Sequence, residues 1–290
     1  MRILIIGVSG NIGQAILRHF DTASGHTLFL ASRNKADSQP GAYNQYVYFD
    51  FDDLPKSYPS LLQTDVLFLL RPPHISDVTT YFKPLIELCK KANIKHIVFL
   101  SVQGADKASF IPHAKIEKLI LKSGIAYTFV RPGYFMQNLS TTLQEDICRK
   151  NRIYLPAGHA TFNWIDVDDI GLAIARILEN IGLHTNKIYT ITGSQNLSFQ
   201  QAASYLTDTL HRKIQYISLN VVRFYYTKRK EGVATEFILV MILLHFLPRF
   251  QAEPLIYPDF ELLIGRKPTT LQTFIATHKQ YWQTKNPAQE

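Results

Sequence analysis

A turn punctuated by glycines at the start of the chain limits the fold more than any other feature. The apolar run Arg2–Ile6 leads into Gly7-Val8-Ser9-Gly10-Asn11-Ile12-Gly13, and Ile12, Ile16, Leu17 and Phe20 then recur at helical spacing. A strand that turns through three glycines into an amphipathic helix is the phosphate-holding corner of a dinucleotide-binding unit. Gly7 permits the tight turn, Gly10 lets backbone N–H groups approach a pyrophosphate, and Gly13 lets helix and strand pack closely. Gly7, Ser9, Gly10, Asn11, Ile12 and Gly13 are therefore the predicted cradle. The spacing is GxxGxxG, and its placement between strand and helix gives it its meaning.

The rest of the N-terminal half repeats the pattern. Apolar runs at Thr27–Ala31, Tyr46–Phe49, Asp65–Leu70, His96–Leu100 and Tyr127–Val130 read as buried strands. Helical segments are expected over Asp77–Ala92, capped by Ser76, and over His113–Lys122, stopped by Gly124. Pro84 predicts a kink, or a helix that starts after Lys83. Strand–helix–strand repetition implies a parallel, doubly wound α/β sheet of Rossmann type, in the order 3-2-1-4-5-6. A helix at Asp168–Glu179, capped by Asp168 and Asp169, and a seventh strand at Lys187–Ile191 extend it. Residues 1–195 are read as the dinucleotide-binding domain. Residues 196–290 are read as a smaller, mainly helical C-terminal part, with interleaving of the two allowed for. There Ser198 caps a helix through His211, a strand follows at Lys213–Ser218, and Phe237–Leu247 reads as a buried helix. The polar end from Thr284 is expected to fray.

The second strand selects the dinucleotide. An acidic residue at its end would bind the ribose hydroxyl of NAD, whereas arginine accommodates the extra phosphate of NADP. This strand ends Ala31-Ser32-Arg33, so NADP(H) is predicted over NAD(H). Asp50, ending the third strand, is placed to meet the adenine. An ordinary surface arginine and a loop-capping aspartate are the plain alternatives at these two positions. Pro72 after the fourth strand and Ser101 after the fifth are expected to edge the nicotinamide.

Charge and cysteines exclude other classes. Lys and Arg exceed Asp and Glu, for a formal net charge of +8. An anionic partner is therefore to be sought. The cations are dispersed, and no helix-turn-helix, zinc-finger or RNA-binding pattern accompanies them. The anion they suit is the cofactor, with no nucleic acid. The longest apolar run is far short of the roughly 20 residues that span a bilayer, so no membrane partner is expected. Cys89 and Cys148 are too few for a disulfide framework or a zinc site, and a reducing cytoplasm fits them. No metal is expected.

Several segments together resemble the NmrA-like family, an atypical branch of the short-chain dehydrogenase/reductase superfamily. They are Gly7–Gly13, His113–Lys118 continuing through Ser123–Thr128, Arg131–Asn138, Trp164–Ile170, Tyr189–Gly193, and Gly265–Thr270 followed by Phe274. The resemblance implies a Rossmann domain with a small C-terminal domain and a nicotinamide dinucleotide. It does not fix an activity, since the family includes quinone and dye reductases, plant phenylpropanoid reductases and non-catalytic redox-sensing regulators. The superfamily's Tyr-x-x-x-Lys pair occurs only at Tyr226–Lys230 and Tyr281–Lys285, far from the nucleotide half. His113 opens the helix that carries this lysine elsewhere, and is the candidate proton donor or ribose ligand. A local role at the helix start is its plain alternative. Tyr134, Phe135 and Asn138 are the expected acceptor-pocket residues, an aromatic wall suited to a planar acceptor. Core filling is the alternative for the two aromatics. The reading is an NADPH-dependent oxidoreductase that passes hydride to a small planar acceptor such as a quinone. The alternative is an NADP(H)-binding redox sensor that acts through a protein partner.

Overall fold

The computed structural model describes residues 1–34 and 43–283. Lys285 and the polar end from Thr284 lie outside them. The chain forms two compact units, each discontinuous: Met1–Gly133, Val167–Ile191 and Tyr257–Arg266 in the first, Tyr134–Asp166, Thr192–Ile256 and Lys267–Glu290 in the second. A single cut after residue 195 does not describe this division. Residues 134–166 belong with the later chain, and Tyr257–Arg266 with the nucleotide-binding sequence.

The first unit is a seven-stranded parallel sheet. Its strands are β1 (Arg2–Ile5), β2 (Thr27–Ser32), β3 (Asn44–Tyr48), β4 (Val66–Leu70), β5 (His96–Leu100), β6 (Ala126–Val130) and, at the edge beside β6, Lys187–Tyr189. Read from the other edge the order is 3-2-1-4-5-6 and then the seventh strand, as the alternating pattern predicts. The central strands are apolar throughout because both faces are covered. On one face Leu4, Leu67, Leu69, Ile97 and Phe99 meet Phe82, Leu85, Ile86 and Cys89 of α3 (Val78–Lys91), and Ile116 and Ile120 of α4 (Pro112–Ser123). Elsewhere in this unit α1 (Asn11–His19) crosses the helix Val167–Glu179, and at the crossing a Cβ on Gly171 would lie 2.3 Å from that of Ala15.

Two local expectations need correction, and a third is narrowed. Asp77 rather than Ser76 caps α3, its Oδ1 accepting from the N–H groups of Thr79 and Thr80 at 3.0 Å. The helix then runs unbroken through Pro84. The carbonyl deprived of a donor belongs to Thr80, an exposed residue. Asp168 and Asp169 stand inside the first turn of their helix, and their carboxylates pair elsewhere. Asp168 meets Arg18 at 2.7 Å and His19 at 2.8 Å, and buried Asp169 meets Arg266 at 2.6 Å. Within the same unit, the Thr190 N–H donates to Asp259 at 2.6 Å.

The second unit gathers Met136, Leu139, Ile147, Trp164, Phe199, Leu206 and Phe274 around its own core. The Ser198 cap forms a full capping box with Gln201 at the head of Phe199–Leu210. A strand is present at Gln215–Ile217. The apolar run forms the helix Thr235–Phe246, but this helix is not buried as expected: Ile238, Met241 and His245 are buried and Ile242 partly so, while Phe237, Leu239, Val240, Leu243 and Leu244 are exposed. Among the described residues no helix is long and apolar enough to cross a membrane.

Candidate functional site

The glycine turn is built as a cradle. Gly7, in the turn after β1, has φ +80°, and Leu70 at the end of β4 packs where its side chain would stand, 2.7 Å from the Cβ position. Only glycine meets both conditions. At Gly13 a Cβ would fall 2.3 Å from the Gly7 carbonyl oxygen and 2.5 Å from Val8 Cα, so that helix and turn touch through bare backbone. Gly10 differs: nothing lies nearer its Cβ position than the Gly7 oxygen at 3.4 Å. It caps α1 without a side-chain hydrogen bond, and Ser9, Gly10 and Asn11 are exposed while Ile12 and Gly13 are buried. The first-turn N–H groups of Asn11, Ile12 and Gly13 have no partner inside the helix. Bare backbone at a helix start is what a pyrophosphate requires, so the chain fits a dinucleotide here.

The order of the strands places the remaining candidates along one edge. The reversal lies between β1 and β4, and ligands of such sheets sit beyond the carboxyl ends of the strands. Arg33 follows β2, is exposed, and has no partner among the described residues. Asp50 follows β3, where its Oδ1 accepts from the Asp52 N–H at 3.1 Å, the loop-capping arrangement. Ser101 follows β5, and its buried hydroxyl has no hydrogen-bond partner among the described residues.

Arg71 follows β4 and was not singled out by the sequence. Its Nη1 donates to the carbonyls of Pro72 and Pro73 at 3.1 Å and of Ile75 at 2.7 Å, stapling the loop that Pro72 begins. Its Nε is buried and unbonded. No carboxylate lies within ion-pair distance of it among the described residues. Burial lowers its pKa, the expected response of an uncompensated cation.

His113 lies against Phe99, with ring centroids 6.2 Å apart. Burial first, and the charge of Arg71 second, lower its pKa to about 4. Both effects favour the neutral imidazole over the cation. Glu117, one turn further on, is engaged with Arg131, Nε–Oε1 at 2.9 Å and Nη2–Oε2 at 2.6 Å, both side chains being buried. Asp106 adds a second contact to Arg131 at 3.3 Å. We expect Glu117→Gln to cost about 1.5–3 kcal/mol of stability, because it leaves Arg131 only the more exposed Asp106 as an anionic partner. Denaturant midpoints check this, and a loss under 1 kcal/mol would refute it.

The other three candidates lie in the second unit. Tyr134 and Phe135 form a short strand beside Trp164 and Ile165. The Tyr134 ring is edge-on to Trp164 at 4.9 Å and packs on Phe162 at 5.2 Å and Phe199 at 5.8 Å, so most of it is filling. Its hydroxyl lies 2.9 Å from His245 Nε2, and Asn138 also bonds to it. Burial drives the Tyr134 pKa well up. His245 Nδ1 is 2.6 Å from the Met241 carbonyl, so Nδ1 carries the proton and Nε2 accepts from Tyr134. The two residues are 111 positions apart, beyond the reach of any local pattern. Phe135 and Asn138 are half-buried. Among the described residues no group of three or more potential metal ligands converges.

A parallel sheet of this order, with an open glycine cradle at its reversal, defines the Rossmann class of dinucleotide-binding proteins. The chain belongs to the NmrA-like family, which it matches over residues 1–241. It is 30% identical to the NAD(P)H azoreductase of Xenophilus azovorans over 226 residues, 76% of this chain and 77% of that protein. Among solved structures, the triphenylmethane reductase of Citrobacter sp. superposes with a TM-score of 0.84 at 20% identity, covering 97% of this chain and 99% of that one. The NADPH-dependent quinone oxidoreductase of Escherichia coli, complexed with NADPH, gives a TM-score of 0.83 at 20% identity, with 97% and 100% covered.

Proposed function

We propose that this protein is an NADPH-dependent reductase that passes hydride to a small planar acceptor such as a quinone. The observation that carries the reading is the bare backbone around Gly10 at the head of α1, in a family whose relatives include reductases named for azo, dye and quinone substrates. The pyrophosphate is held by the first-turn N–H groups. Arg33 takes the 2′-phosphate, Asp50 meets the adenine, and Pro72 and Ser101 frame the nicotinamide. The cofactor, when bound, supplies the hydride. His113, uncharged, orients by hydrogen bonding rather than by donating its proton as a cation. Solvent then supplies the proton that a reduced quinone needs. Phe135 and Asn138 are assigned to the acceptor on the family resemblance, and Tyr134 supports them from its aromatic cluster.

The second reading, a redox sensor that acts through a protein partner, is favoured by one observation. The helix α4, where the superfamily carries its Tyr-x-x-x-Lys pair, has none. NADPH oxidation against a panel of quinones and dyes separates the two, since a sensor binds without turnover.

Cofactor preference is tested at Arg33. NADPH should bind about 10- to 150-fold more tightly than NADH, the range of a charge-assisted hydrogen bond of roughly 1.5–3 kcal/mol. Arg33→Ala should remove most of that preference and spare NADH. Equal affinity of the native protein for the two cofactors would overturn the assignment.

A further inference from the structure

Among the described residues, the half-buried cation after β4 has no counter-ion. The Arg71 guanidinium is half-buried and lies at the sheet edge where ligands of this fold sit. Stapling the 72–75 loop employs Nη1 alone, leaving a buried Nε–H unbonded. An unpaired buried charge is costly, and carbonyl dipoles compensate it only in part. The neighbouring strand ends in a second unbonded group. Leu70 and Leu100 are register partners, so Arg71 and Ser101 are the next residues on adjacent strands, and the Ser101 hydroxyl is likewise buried without a partner. His113, close enough to feel the Arg71 charge, offers no negative charge in return. Two donors and a fixed positive charge, with no acid among the described residues to answer them, form a place for an anion.

We propose that Arg71 holds the negative charge that the acceptor acquires on reduction, and so tunes the site to neutral acceptors that become oxyanions, such as quinones, over cationic dyes. The proposal rests on the reductase reading. A quinone that takes a hydride at one carbonyl oxygen gains an O–H bond. Its C=O π bond breaks, and an electron pair moves through the ring to the opposite oxygen, which becomes an oxyanion. The cofactor is oxidised to NADP+ as the quinone is reduced, and a proton from water completes the hydroquinone. Donors fixed where such charge develops stabilise the transition state more than the ground state. A cationic dye loses its charge on taking hydride and gains nothing from a guanidinium.

The test compares native protein with Arg71→Gln, which keeps donors for the loop carbonyls but removes the charge, and Arg71→Lys, which keeps the charge. In the NADP+ complex, 4-nitrophenolate serves as a planar oxyanion and 4-nitroanisole as its neutral counterpart. We expect Arg71→Gln to weaken 4-nitrophenolate binding by at least about tenfold, with 4-nitroanisole unaffected and part of the loss restored by Arg71→Lys. In turnover, kcat/KM for p-benzoquinone should fall by at least about tenfold while that for crystal violet holds or rises. NADPH affinity should stay within twofold. Two results would overturn the proposal: unchanged phenolate affinity in Arg71→Gln, or an equal loss of NADPH affinity, which would place a cofactor phosphate on Arg71. If the native protein turns over no acceptor, the reductase reading fails, and the phenolate comparison still decides the role of Arg71.

Discussion

A Gly10→Val variant is expected to fold and to bind no NADPH. Its backbone, φ −85° and ψ 168°, is extended and suits a β-branched residue. The nearest atom to the new Cβ would be the Gly7 oxygen at 3.4 Å, a tight but tolerable contact. The two methyl groups would then project into the space over the first-turn N–H groups, where a pyrophosphate must come within hydrogen-bond reach. Gly13 could not serve for this test, because a Cβ there meets backbone at 2.3 Å and the turn itself would be disrupted. Calorimetry on Gly10→Val, with circular dichroism and a thermal melt to establish folding, should show native structure and no heat of binding. Native-like affinity would mean that the phosphates lie elsewhere, and the functional reading would lose its foundation.

The second large effect is acid lability above the range in which the paired carboxylates titrate. His96 in the first unit and His245 in the second are each only 4% exposed, and burial lowers the pKa of each to about 4. Their hydrogen bonds suit the neutral forms. Thr128 Oγ1 gives its proton to the His184 carbonyl and accepts from His96 Nε2, while His245 accepts from Tyr134. The unfolded chain takes up these protons near pH 6.5, well before the folded chain does. The contribution of each is therefore complete above pH 6.5, declines as pH falls, and is gone below about pH 4. A displacement of this size is worth about 3 kcal/mol per histidine at 1.36 kcal/mol per pH unit. Denaturant unfolding at pH 7.5, 6 and 5 should show stability falling with a slope that approaches three protons, because burial holds His113 down to about 4 as well. His96→Gln should reduce that slope by one. The ion-paired Asp65, whose pKa the Arg2 N–H above all lowers to about 2, titrates below this window. Stability that is flat from pH 7 to 5 would refute the assignment.

What could be read from the sequence was whatever repeats or punctuates. Apolar strands bounded by turns yield the sheet and its order, because strands buried on both faces cannot hide in composition. The cradle could be read because each of its glycines answers a separate steric demand. Arg71 could not, since a lone arginine at a strand end carries no period, and its isolation is a fact of three dimensions. Glu117 did leave a signal. It shares the inward stripe of α4 with Ile116 and Ile120, and an acid on an apolar stripe points to a buried cation, here Arg131. The Phe237–Leu247 run was misjudged because apolar content speaks for burial only when a surface is available to cover it. The helix offers apolar residues on every side, and the core uses one narrow stripe.

The threading of the chain sets the order in which the molecule can be completed as it is made. The nucleotide-binding unit begins at Met1, yet Tyr257–Arg266 belongs to it. That segment brings Asp259 to the Thr190 N–H and Arg266 to buried Asp169. On the ribosome, the unit that starts first must therefore wait until Tyr257–Arg266 has emerged. Until then Asp169 lacks the Arg266 cation, and the seventh strand lacks the Asp259 bond just beyond its end. The contacts that this segment makes to Thr190 and Asp169 are thus late additions to a unit whose glycine turn is already in the chain from the start.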